Sequence, residues 1–182
     1  MWKKVTLGAF ALLLGLLANT HLVCHVSING ERAEGSYSPW VHDRGLLAAE
    51  KAAEEILEGE TSLPVVKTGF GLSLRPPSGS AAELSAALLD SARGIALLDG
   101  VFVNSVPLGK VENGQMLMAK LRGYLYYTMP TAAVSGTFSE ELMVRPVYTR
   151  AGSETNYDDM VLLVSGMAPA VYTDQEGNRV PG

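Results

Sequence analysis

Two stretches of this chain follow the same order of structural signals at a nearly constant offset, and that gapped repeat constrains the fold more than any single motif. Leu22 to Ile28 alternates as a strand and runs into Asn29-Gly30. Asn-Gly is a strong hairpin signal, because a type I′ turn needs positive φ at both central residues. Val101-Phe-Val-Asn104-Ser reads the same way, with Asn104 lying 75 residues after Asn29. Asp43 is placed to cap a helix reaching about Leu57, with Leu46, Ala49, Ala53, Ile56 and Leu57 as its apolar face. Asn113, 70 residues further on, caps a second helix bearing Met116, Leu117, Ala119 and Tyr126. Leu72-Ser-Leu-Arg75-Pro76 and Leu142-Met-Val-Arg145-Pro146 each read as the end of an alternating strand, with Pro where a strand stops.

The offset then returns to 75. Ser80-Ala-Ala-Glu83 has the form of a capping box and opens a helix carrying Leu84, Ala87 and Leu88. Thr155 to Asp158 opens its counterpart, with Met160, Leu163 and Val164. Gly94 and Gly166 are expected just past these helices, before strands at Ile95–Leu98 and Ala170–Thr173, with Asp99 and Asp174 at the turns beyond. The expected fold is α+β: two tandem hairpin–helix–strand–helix–strand units, residues 22–99 and 100–182, following an N-terminal hydrophobic helix. Asp174 to Asn178 reads as the start of a third hairpin.

Residues 1–21 carry an address. Lys3 and Lys4 precede an apolar run from Val5 to Ala18, broken by Thr6, Gly8 and Gly15. As a helix those residues span about 21 Å, short of the roughly 30 Å hydrocarbon core of a bilayer. Charge, length and order match an export signal, either cleaved near Asn19-Thr20 or kept as a membrane anchor. The positive end stays cytoplasmic, which puts the remainder on the outer face of the membrane or in the cell wall. The net charge is −5, and no basic run follows the first four residues, so nucleic acid is excluded as a partner. A single cysteine, Cys24, excludes a disulfide scaffold.

The groups that bear chemistry do not converge. His21 and His25 straddle the junction of the export segment with a strand, a spacing that does not bring both rings onto one metal, and His42 stands alone before a helix in a solvated or capping place. Cys24 reads as a small buried hydrophobe. Asp158-Asp159 favour a helix start, and Glu140-Glu141 are adjacent rather than facing across a cleft, as paired catalytic carboxylates must. Gly69-Phe-Gly71 lacks the third glycine of a dinucleotide loop. No catalytic residue, metal ligand or cofactor is therefore expected. The candidate contact residues for a partner or a glycan are Val101, Val103 and Lys110 on the second hairpin, and Tyr124 and Tyr127, which share one helix face.

Gly100 to Asn113 and Tyr157 to Asp174 resemble the N-terminal, non-catalytic region of exported lysostaphin-type zinc metallopeptidases of Firmicutes, in which a membrane signal precedes repeated hairpin-plus-helix units. The resemblance covers most of residues 22–178. It implies a bacterial envelope protein associated with peptidoglycan remodelling, whose partner is a cell-wall hydrolase domain, another envelope protein or peptidoglycan. The zinc-binding H-x-x-x-D and H-x-H pairs of that family are not present, so the resemblance carries over no catalytic or metal-binding residue. The expected function is an exported, non-catalytic module that positions or regulates a hydrolase. A zinc endopeptidase of which this is an N-terminal piece, and a free-standing glycan-binding module, are the competing readings.

Overall fold

The computed structural model describes residues 19–59 and 63–181. The expected N-terminal hydrophobic helix lies outside them. Among the described residues no helix is long and apolar enough to cross a membrane. Among the described residues the fold is α+β, with four helices and small antiparallel sheets, and the chain divides into two compact units at Ile95/Ala96.

In the first unit β1 (His21–Ile28) turns through Asn29 and Gly30, at φ 53° and 93°, into the short β2 (Glu31–Arg32). The long helix α1 (Pro39–Ile56) follows, then β3 (Val66–Ser73) and α2 (Ala81–Asp90). The sheet order is β2-β1-β3, all antiparallel. Cys24, Val26 and Ile28 of β1 pack under Ala49 of α1 and under Leu84 and Leu88 of α2, with Tyr37 closing the same core.

In the second unit β4 (Ile95–Val103) turns through Asn104 and Ser105, at φ 47° and 67°, into β5 (Val106–Val111). Helix α3 (Gly114–Tyr127), β6 (Ser135–Phe138), β7 (Leu142–Arg150), α4 (Tyr157–Met167), β8 (Ala170–Thr173) and β9 (Arg179–Val180) follow. One sheet has the order β5-β4-β7 and another β6-β8-β9. Val101 and Val111 of the first sheet bury against Leu117 and Leu121 of α3 and Met160 and Val164 of α4.

Several local expectations need correction. Helix α1 starts four residues before Asp43: Ser38 accepts from the Val41 N–H at 3.3 Å and Pro39 supplies the first helical residue, a stronger start than an aspartate inside the run. Its buried face is His42, Gly45, Ala49 and Ala53, so Leu46 is only half-buried at the margin. On α3 the buried face is Gly114, Leu117 and Leu121, and Met116 and Tyr126 are exposed. Asn156 rather than Thr155 caps α4, and Gly166 lies inside that helix. Asp99 sits within β4, not at a turn, because Ile95 to Val103 forms one continuous strand. Leu72 to Pro76 does end a strand, but Leu142 to Pro146 opens one. Pro146 is tolerated in β7 because β7 is the edge of its sheet, where a missing N–H costs no ladder bond.

Candidate functional site

The first candidate centre is His42, which is in α1 rather than before it and is 7% exposed. Its Nδ1 lies 2.9 Å from Asp43 Oδ1 and its Nε2 lies 2.8 Å from Thr68 Oγ1 on β3. A carboxylate oxygen only accepts, so Nδ1 carries a proton, and in the neutral ring Nε2 then accepts from the threonine hydroxyl. Hydroxyl, imidazole and carboxylate thus stand in the order of a nucleophilic triad. Their position decides their use: they join the first turns of α1 to the middle of β3, and the bonds satisfy an imidazole that burial would otherwise leave without partners. His21 and His25 both fall on β1, and His25 Nδ1 is 2.8 Å from Arg32 Nη2 on β2. Cys24 is fully buried; burial, and secondarily Asp43, push its thiol pKa up, the direction of an inert rather than a nucleophilic cysteine.

A groove of about 630 Å³ opens between the β1–β2 hairpin and α2, lined by Glu31, Arg32, Glu34, Tyr37, Ser78 and Glu83 among others. Tyr37 is buried at its base and donates to the Glu34 carbonyl at 3.0 Å, and burial first, then Glu83 and Glu34, raise its phenol pKa. Glu83 accepts from the Ser80 N–H at 2.8 Å while Ser80 Oγ accepts from the Glu83 N–H at 3.2 Å, the reciprocal capping box of α2. The bond from the Ser80 N–H, and secondarily one from the Ser80 hydroxyl, hold the Glu83 carboxyl below its ordinary pKa.

In the second unit a hydrogen-bond chain leads from Lys110 Nζ to Thr149 Oγ1, then 3.1 Å to Ser153 Oγ, whose proton goes to the Arg150 carbonyl at 2.6 Å. The serine hydroxyl is a donor to backbone, so the chain fastens the bend after β7 to β5 rather than preparing an attacking oxygen. Asp99 Oδ2 accepts from the Gly114 N–H at 2.6 Å and Asn113 Oδ1 from the Met116 N–H at 3.0 Å, which together cap α3. Asp174 accepts from the Asn178 and Glu176 N–H groups at 2.8 and 2.9 Å, closing the β8–β9 turn and depressing its own pKa.

The contact residues expected from sequence separate. Val101 and Val103 are buried, since their side chains point to the core face of β4, and they form no contact surface. Lys110 is half-buried and held by Thr149. Tyr124 is half-buried, whereas Tyr127 is 86% and Tyr126 71% exposed, their rings edge to face at 5.7 Å between centroids. The aromatic surface at the end of α3 is therefore Tyr126 with Tyr127. Helical phase pairs 124 with 127 correctly, but it cannot tell that the last turn runs past the core. Compared with protein-family models, with curated proteins and with solved structures, the chain matches none.

Proposed function

We propose that this chain is an exported, non-catalytic cell-envelope module, built from a duplicated hairpin–helix–strand–helix–strand unit, that positions or regulates a peptidoglycan hydrolase or binds another envelope protein. One observation carries this reading. Side chains of the kinds that carry chemistry are taken up by the frame: His42 joins α1 to β3 through Thr68, Lys110 joins β5 to β7 through Thr149, Glu83 closes the cap of α2 on Ser80, and Asp99 holds the Gly114 N–H at the start of α3. The matching strand orders β2-β1-β3 and β5-β4-β7, each with the first hairpin strand in the centre, support the duplication. The apolar run ahead of β1 and the resemblance to the non-catalytic region of envelope metallopeptidases support the location.

The reading is tested with the full chain carrying a phosphatase reporter that is active only outside the cytoplasmic membrane, and with purified cell-wall sacculi. Reporter activity is expected, together with no release of wall fragments by the purified chain alone. A reporter that stays inactive, or wall cleavage by the chain itself, sinks the proposal. The exposed Tyr126–Tyr127 pair favours a second reading, glycan contact through aromatic faces. Co-sedimentation with sacculi that survives replacement of both tyrosines by alanine removes it.

A further inference from the structure

The open edge of β3 has a periodicity that selects its partner. In β1 the backbone groups of Cys24 and Val26 point away from β3: Cys24 exchanges bonds with Tyr37 at 2.7 and 2.9 Å, and the Val26 carbonyl accepts from Ala33 at 2.9 Å. Val23, His25 and Ser27 therefore bond Gly71, Gly69 and Lys67 of β3. By alternation, the N–H and C=O groups of Thr68, Phe70 and Leu72 face outward, where no other named strand pairs β3 among the described residues. The same stretch presents apolar side chains: Phe70 is 68%, Leu72 74% and Leu74 64% exposed. Gly69 and Gly71 leave open space on the opposite face of the strand. A lipid surface would cover the side chains but strand the backbone groups, whereas an added strand serves both.

The contrast with β7 sharpens the point. It occupies the corresponding edge of the second unit's sheet and carries Pro146, which lacks an N–H for strand addition; β3 carries one charge, Lys67, but no proline.

We propose that β3 pairs antiparallel with β3 of a second copy of this chain, about a two-fold axis at Phe70. Strand-to-itself pairing is isologous, so every contact must suit its own image. In this register Phe70 meets Phe70 of the copy and Thr68 meets Leu72, while on the other face Lys67 meets Ser73 and Gly69 meets Gly71. No like charges stand opposite, and the two exposed aromatic rings form a cross-strand pair. The inference rests on the fold of the first unit and not on the export reading.

Disulfide cross-linking of the purified full chain tests it. Cys24 lies opposite Phe70 in the β1–β3 register, so the test uses a Cys24→Ala background. Phe70→Cys places two thiols on Cα atoms about 5.5 Å apart across the axis, within disulfide reach. Leu72→Cys places them roughly 15 Å apart, beyond it. Under mild oxidation the Phe70→Cys chain should run at about twice 19.3 kDa and the Leu72→Cys chain should not. Co-expressed Thr68→Cys and Leu72→Cys chains should cross-link to each other. In the unmodified chain Phe70→Lys should lower the solution mass from two chains to one. A Phe70→Cys chain that stays monomeric with an accessible thiol, equal cross-linking at 70 and 72, or a band joined to a different protein would overturn the proposal.

Discussion

Replacing Gly79 by alanine should unfold the first unit far more readily than its surface setting suggests. Ser78 and Gly79 both donate backbone N–H groups to the Ser36 carbonyl, at 3.0 and 2.9 Å, which pins this loop against the segment entering α1. The Tyr37 ring lies against the glycine. A methyl on Gly79 would stand 2.5 Å from Tyr37 Cδ1 and 2.9 Å from Cζ, and closer still to Cε1. Real carbon contacts do not go below about 3.5 Å at their optimum, so the ring or the loop must move by roughly 1 Å. Neither moves freely. Tyr37 is buried and its hydroxyl is tied to the Glu34 carbonyl, and shifting the loop breaks the two bonds to Ser36. Overpacking of this kind costs about 1–3 kcal/mol, and losing one loop bond adds about 1 kcal/mol. For a unit of this size each kcal/mol lowers the melting temperature by about 4–8 °C. Calorimetry of the full chain should therefore show a melting transition lowered by roughly 8–30 °C. In a Tyr37→Ala background the same substitution should cost less than about 0.5 kcal/mol, since the clash is gone. A Gly79→Ala chain that melts with the wild type, or a penalty that persists without the tyrosine, would refute the account.

The remaining predictions concern caps, turns and the thiol. Ser80→Ala removes one half of the α2 capping box and should cost about 1 kcal/mol by urea unfolding. Glu83 has its pKa lowered in the folded state, so its contribution is present above the unfolded-chain pKa and is lost as pH falls through the folded value; Glu83→Gln should flatten the acid limb of the stability–pH profile and leave neutral stability less sensitive to pH. Ser105 sits at φ 67° in the β4–β5 turn, and Ser105→Gly should stabilise the second unit by roughly 0.5–1 kcal/mol, the relief of a left-handed side chain less the entropy of glycine. Cys24 should resist a water-soluble maleimide in the native chain and react fully in denaturant; rapid native labelling would contradict its burial.

How far the sequence reveals the fold depends on whether a signal is local. The hairpin turns at Asn29-Gly30 and Asn104-Ser105, the Ser80–Glu83 box and the Asn113 cap are short-range chemistry, and each stands in the structure where the residues indicate. The start of α1 was equally legible in Ser38-Pro39, but Asp43 competes as a cap in a run that continues upstream of it. Strand ends are another matter. Leu72 to Pro76 and Leu142 to Pro146 look alike in sequence, yet one closes β3 and the other opens β7, because only sheet position determines whether a proline must stop a strand. The burial of His42 was illegible for a similar reason. Its partner Thr68 lies 26 residues away on a strand that no local pattern places beside the first turn of α1. Val101 and Val103 alternate correctly as strand residues, but alternation does not say which face is covered.

The differences between the two units bear on the proposed duplication. If both descend from one hairpin-led ancestor, residues that hold the shared frame should persist, and departures should mark divided labour. The shared frame is a central strand entering a left-handed two-residue turn, flanked by a partner strand and by a strand returning after the helix. Among the described residues only the second unit carries a further sheet, β6-β8-β9, and another departure falls on the returning strand. In β7 it carries Pro146, Arg145, whose guanidinium lies 4.5 Å over the Phe102 ring, and Thr149, which anchors Lys110 and Ser153. In β3 it carries two glycines and an outward apolar row, together with the Thr68 hydroxyl that fixes His42. A closed edge suits a unit that serves as a spacer, and an open apolar edge suits one that joins. Exchanging the two characters is the direct check on that division: a proline at Phe70 should abolish self-association, because it removes an outward N–H from β3, while leaving the Gly69 and Gly71 bonds to β1 in place.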